Sequence, residues 1–162
     1  MRVRENLQVV LASRERRTLG LWRPLRERFR DEAMALLTQV GMQGQSERTC
    51  GVLAYGDVKR VELAMALAGR PTLLLMDEPT AGMAADERHA LMALTRELAT
   101  QHGLAVLFTE HSLDVVFAHA DRIVVMARGR VIAEGTPEAI RDDVTVQAAY
   151  LGVPDTEAGV PA

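Results

Sequence analysis

Two short apolar runs constrain this chain more than any other feature. Residues 72–76 (TLLLM) lie between Pro71 and Pro79, and residues 104–109 (LAVLFT) follow Gly103. Each has the length of a strand and is too short for a typical helix. Between them, an amphipathic pattern runs from about Asp86 to His102. Strand, helix and strand in that order predict a parallel β-α-β unit with a right-handed crossover. The uniformly apolar TLLLM reads as a strand buried on both faces.

The flanking segments have a different rhythm. Val3, Leu7, Val10 and Leu11 fall on one helical face, and Gly20 to Pro24 break the pattern. Asp31 opens a second amphipathic helix with Met34, Leu37 and Val40 along one stripe, which Gly41 stops. Residues 41–51 (GMQGQSERTCG) are polar and glycine-rich, so they read as loop. A third helix is expected over about 57–68, ended by Gly69 and Pro71. Beyond the β-α-β unit, a helix over 112–119 leads to strands at 122–127 and 130–134. Arg128 and Gly129 turn one into the other as a hairpin. Gly135, Thr136 and Pro137 open a last pair of short helices, and the end from Val153 is expected to fray. The expected organisation is a helical segment at 1–70, a partial α/β core at 71–135 and C-terminal helices with a tail at 136–162.

Composition excludes several classes. At 48% hydrophobic and 25% charged, the chain has the balance of a soluble globular protein. No apolar run approaches the ~18 residues of a membrane span, which implies a cytoplasmic location. The single Cys50 cannot form an internal disulfide. Residues 1–30 hold nine arginines against three glutamates, a local charge of +6. The remaining ten basic and nineteen acidic residues bring the total to −3. Aromatic residues for base stacking are sparse there, only Trp22 and Phe29, so nucleic acid is not an expected partner.

The first apolar run ends in two adjacent carboxylates, Asp77 and Glu78. Ligands gather at the carboxyl ends of parallel strands, and alternation along a strand would send the two side chains to opposite sides. One carboxylate then suits a magnesium ion and the other an attacking water, as in Walker-B sites. Twenty-four residues before Asp77, LAYGD (Leu53, Ala54, Tyr55, Gly56 and Asp57) stands at the mouth of a helix. Its glycine and free N–H groups favour an anion, although a glycine before a helix is also an ordinary cap. Thirty-three residues after Glu78, His111 in LFTEHS follows the second strand, where a histidine can contact a phosphate. His89, His102 and His119 fall on helical patterns and are assigned no role.

Taken together, residues 53–83 and 107–141 resemble the ATP-binding subunits of ABC transporters. The YGD form of the signature, the AGM after DEPT and the terminal AAYLG resemble the branched-chain amino acid importers. The resemblance implies an α/β fold, the C-terminal part of an ABC ATPase domain. It comprises a helical subdomain, a partial parallel sheet with flanking helices, and a C-terminal hairpin. It also implies roles. Asp77 would coordinate magnesium, Glu78 would be the general base, and His111 would be the switch histidine. Leu53 to Asp57 would be the signature closing over ATP on an opposite subunit, and Ala81, Gly82, Met83 and Ala84 the D-loop. The implied partners are a second ATP-binding subunit, transmembrane permease subunits and, indirectly, a substrate-binding protein. The implied location is peripheral, on the inner face of the cell membrane.

The sequence departs from that pattern in four ways. Ala54 replaces the serine common in the signature, and Ala84 stands where many D-loops have aspartate. More consequentially, the 162 residues hold one lysine, Lys59, and no GxxxxGK[ST] phosphate loop. No glutamine loop is found either. In family terms the chain would begin about one-third of the way in, through a truncated gene or a late start. The expected activity of the chain alone is therefore nil, although its family is enzymatic. The alternatives are a non-catalytic partner supplying its signature in trans, or a fragment without function.

Overall fold

The computed structural model describes residues 1–14, 27 and 29–151. The expected break at Gly20 to Pro24 and the fraying end lie outside them. Two compact units are present, Met1–Glu110 and His111–Ala162.

The first unit begins with three helices, α1 (Val3–Arg14), α2 (Arg30–Gln39) and α3 (Tyr55–Ala68). Their apolar stripes meet in one core containing Val3, Leu7, Leu11, Leu37, Val40 and Ala64, all fully buried. Each such leucine or valine contributes about 1.5–3 kcal/mol through removal from water. Residues 41–51 are not plain loop. Gln43–Gln45 and Cys50–Val52 form short 3₁₀ turns. The start of α1 is tied to this segment by Val3 N–H to the Arg48 carbonyl and Arg4 N–H to the Ser46 carbonyl, both at 2.9 Å. Arg14 closes the far end: its guanidinium donates to the Ala68 carbonyl at 2.9 Å and pairs with Glu32 of α2 at 2.9 Å.

The β-α-β unit forms as its pattern predicts: β1 (Leu73–Asp77), α4 (Ala85–His102) and β2 (Ala105–Thr109). The strands pair in parallel, with Leu75 opposite Leu107 and Asp77 opposite Thr109. Gly103 ends α4 in the left-handed conformation (φ 62°), its N–H returning to the Ala99 and Thr100 carbonyls. One expectation fails: β1 is not buried on both faces. Leu74 packs into the helical core, whereas Leu73 is 50% exposed, Leu75 66% and Leu107 61%. Among the described residues β1 and β2 form a two-stranded sheet, with the α1–α3 core and α4 residues such as Leu98 packed on the Leu74 side.

The second unit holds α5 (Leu113–His119), β3 (Ile123–Ala127), β4 (Arg130–Gly135), α6 (Pro137–Arg141) and α7 (Val144–Leu151). The two strands form the expected antiparallel hairpin, with a register shift between Val125 and Met126. Arg128 (φ 50°) and Gly129 (φ 75°) turn it, both in the left-handed region, as the twist of a two-residue hairpin favours. Ile123, Val125, Ile140 and Val146 form its core.

Candidate functional site

The carboxyl ends of β1 and β2 carry the acidic doublet and its neighbours. Asp77 is the last residue of β1 and lies opposite Thr109 in register. The Thr109 hydroxyl donates to Asp77 Oδ1 at 2.6 Å. Glu78 has already left the strand: its φ is 42°, in the left-handed region. The pleat therefore does not set its direction, and the expected opposite-sided alternation does not apply to this pair. Two oxygens of Thr109 accept the Glu78 N–H, the carbonyl at 3.1 Å and the hydroxyl at 3.2 Å. A non-glycine residue held this way carries about 1–3 kcal/mol of backbone strain, so the surroundings must fix it. Both carboxylate-bearing residues are exposed.

Beyond Glu78 the chain tightens into a loop. Pro79 and Thr80 are buried, the Ala81 N–H returns to the Glu78 carbonyl at 3.1 Å, and the Met83 N–H to the Thr80 carbonyl at 3.2 Å. Thr80 is held from the residue after β2: its N–H donates to Glu110 Oε1 at 3.0 Å, and its hydroxyl donates to the same oxygen. Composition and spacing pointed to none of Thr80, Thr109 or Glu110. A hydroxyl or carboxylate at a strand end acquires meaning only once register places it across from Asp77.

The LAYGD segment sits nearby in the same unit. Ala54 caps α3 with extended backbone and no side-chain hydrogen bond, so Tyr55, Gly56 and Asp57 form the first turn of the helix, two residues earlier than expected. Gly56 faces the loop after β1: a Cβ there would lie 3.4 Å from Met83 Cε and 3.8 Å from the Glu87 carboxyl. The structure thus brings Gly56 together with Met83, and Asp77 together with Glu78, within the first unit. Lys59, the single lysine, is committed elsewhere. It pairs with Glu62 at 3.0 Å, which raises its pKa, and lies 5.4 Å from the centre of the Tyr55 ring. His111 is exposed and opens the second unit.

Among the described residues, no three His, Cys, Asp or Glu side chains gather into a metal site. Two adjacent carboxylates fit a divalent cation that arrives with a nucleotide's phosphates as its other ligands. They do not fit one held by protein alone. No helix among the described residues is long and apolar enough to cross a membrane.

A mixed α/β fold with a helical subdomain and an acidic doublet at the end of a parallel strand is that of an ABC ATPase. It superposes on the ADP conformation of MJ1267, an ATP-binding cassette of an ABC transporter, with a TM-score of 0.79 and 30% identity, over 94% of this chain and 63% of that one. The ABC transporter family profile matches residues 1–81, and that of the branched-chain amino acid ATP-binding cassette transporter matches residues 130–156. The chain belongs to the ABC transporter family. It is 40% identical over 116 residues to the high-affinity branched-chain amino acid transport ATP-binding protein BraF of Pseudomonas aeruginosa, covering 72% of this chain and 46% of BraF. To LivG of Escherichia coli, of the same description, it is 37% identical over 122 residues, covering 75% of this chain and 48% of LivG. The chain spans about half the length of these relatives.

Proposed function

We propose that the chain works as part of the ATP-hydrolysing motor of an ABC importer for branched-chain amino acids. In this reading it contributes the acidic doublet to one ATP site, the signature to ATP held by an opposite subunit, and the D-loop. The observation that carries the proposal is the acidic doublet itself. Asp77 is held by Thr109 and Glu78 is turned out of the strand beside it, in a chain 40% identical to BraF. The substrate class rests on the profile matching residues 130–156 and on what BraF and LivG are named for.

Each residue then has a task. Asp77 presents a carboxylate oxygen toward the cation of a magnesium nucleotide. Glu78 accepts a proton from water in line with the terminal phosphate. Within the signature, Leu53 to Asp57, the N–H groups of Tyr55, Gly56 and Asp57 at the start of α3 face phosphate oxygens of ATP on the opposite subunit, where the helix dipole favours negative charge. Ala54 offers no hydroxyl, so backbone groups do that work. Ala81 to Ala84 form the D-loop, and His111 is the switch histidine. When bound, magnesium neutralises phosphate charge in the transition state. The domain limits in this reading are 1–70, 71–135 and 136–162. The partners are a second ATP-binding subunit and permease subunits, with the protein peripheral on the inner membrane face.

The N–H groups at the start of α3, which no side chain caps, favour a second reading of the same residues. Here the chain supplies its signature in trans to a complete ATP-binding subunit, while its own site does not turn over. One experiment separates the readings. The purified chain is assayed for ATP hydrolysis alone and mixed with a complete ATP-binding subunit. No turnover alone and stimulation in the mixture, lost with Gly56→Asp, support the trans reading. Steady hydrolysis by the chain alone that disappears in Glu78→Gln supports the first reading and overturns the second. No turnover under either condition counts against both.

A further inference from the structure

Glu110 has no role in the function proposed above, yet its surroundings are unusual. Both donors of Thr80, the backbone N–H and the hydroxyl, converge on Glu110 Oε1. Thr80 is 1% exposed. Glu110 Oε2 is buried and has no hydrogen-bond partner among the described residues. A buried carboxylate oxygen without a donor is costly. What the carboxylate provides in return is a pair of charge-assisted hydrogen bonds to one residue.

That residue is the centre of the loop carrying the candidate chemistry. The Thr80 carbonyl accepts the Met83 N–H, and the Glu78 carbonyl accepts the Ala81 N–H. Met83 in turn lies against Gly56 of α3. On its other side, Glu78 is held in its left-handed conformation by Thr109. Strain of this kind persists only where neighbours over-determine the backbone. Thr109 fixes the start of the loop and Glu110 its middle.

We infer that Glu110 is a positioning residue: through Thr80 it locks the loop from Glu78 to Ala84. It thereby holds Glu78 in its strained conformation and Met83 against Gly56. The importance of that loop for catalysis rests on the function proposed above, whereas the lock itself does not. Amide hydrogen exchange of the 162-residue chain tests the lock without any turnover. In Glu110→Ala the amides of Thr80, Ala81 and Met83 should exchange about tenfold faster or more, while those of the β1–β2 ladder stay within about twofold. Glu110→Gln keeps an oxygen acceptor and should restore protection to within about threefold of the parent. Unchanged loop protection in Glu110→Ala, ladder amides accelerating in step with the loop, or Gln behaving like Ala would each overturn the inference. If Glu110→Ala does not fold, Thr80→Val against Thr80→Ser reads the same lock through the hydroxyl, with fast loop exchange in Val only. In the mixed ATPase assay, Glu110→Ala should lower kcat and leave the KM for ATP within about twofold. A mixture that never hydrolyses ATP sinks the proposed function and leaves the exchange result standing.

Discussion

The Thr109 hydroxyl lies 2.6 Å from Asp77 Oδ1 and receives the Glu78 N–H at 3.2 Å, so one side chain bridges both members of the acidic doublet. Thr109→Val keeps the shape and the backbone acceptor but removes the hydroxyl. Asp77 then loses a donor, and of these two acceptors the Glu78 N–H retains the Thr109 carbonyl. The expected cost is about 1 kcal/mol of stability, seen as a lower urea midpoint with an unchanged slope. Thr109→Ser should recover most of it. Equal midpoints for Val and parent would show that the hydroxyl does not hold the doublet.

Glu78 offers the opposite trade. Its φ of 42° suits glycine far better than a side chain with a Cβ. Glu78→Gly should therefore raise stability, or leave it level, by relieving about 1–3 kcal/mol of strain against the greater unfolded-state freedom of glycine. In the mixed assembly the same change should remove whatever hydrolysis depends on the Glu78 carboxylate. Thermal unfolding and ATP turnover measured side by side check both halves. A destabilisation of more than about 1 kcal/mol would mean that the left-handed backbone is unstrained.

The boundaries of most elements were legible because punctuation marks them. Gly41, Gly103 and Pro71 end or separate elements within a residue or two of where the pattern says. The parallel pairing and the hairpin followed from order and turn chemistry alone. What escaped depends on tertiary partners. TLLLM looks the same whether one face or two are covered, and only the placement of α3 and α4 shows that Leu75 is left out. The left-handed turn at Glu78 is invisible to a reading that assumes strand alternation. Thr109 and Glu110 carry no motif of their own, since a cross-strand partner exists only once register is set. Asp77, Glu78 and Gly56 were legible as candidates because residue types at fixed spacing carry their own chemistry.

The helical part of the first unit should weaken in acid. Hydrogen bonding from Arg14 holds the Glu32 carboxyl below the usual range, helped by the charge of Arg70. Arg4, with Arg2, does the same for Glu47. A carboxyl whose folded pKa is depressed adds stability that is complete above the unfolded value of about 4.3. That stability is lost as pH falls through the lower folded value. The Arg14–Glu32 pair is partly solvated, so its share is about 0.2–1 kcal/mol at neutral pH. Glu32→Gln should lower the urea midpoint at pH 7 and lose less on acidification to about pH 3 than the parent does. Parallel midpoint curves for the two proteins would show that the pairing contributes nothing.

The exposed face of the β1–β2 sheet makes the last prediction. Leu75 and Leu107 are register partners, 66% and 61% exposed, and Leu73 beside them is half exposed. Parallel sheets are ordinarily covered on both faces, and an uncovered apolar strip with open edges promotes association. A charge on each strand should suppress it: Leu75→Lys with Leu107→Lys places two like charges opposite one another on the solvent side. Because both side chains are largely solvated in the folded chain, the change should cost about 1 kcal/mol or less, mostly from that repulsion. Self-association at micromolar concentration, followed by sedimentation velocity, should fall, and binding of an apolar fluorescent dye should drop at least about twofold. A parent chain that sediments as a monomer and binds no dye would mean that this strip is not sticky. If the double variant instead unfolds, the two leucines are supporting the strand pair itself, and the covered face at Leu74 is not enough to hold it.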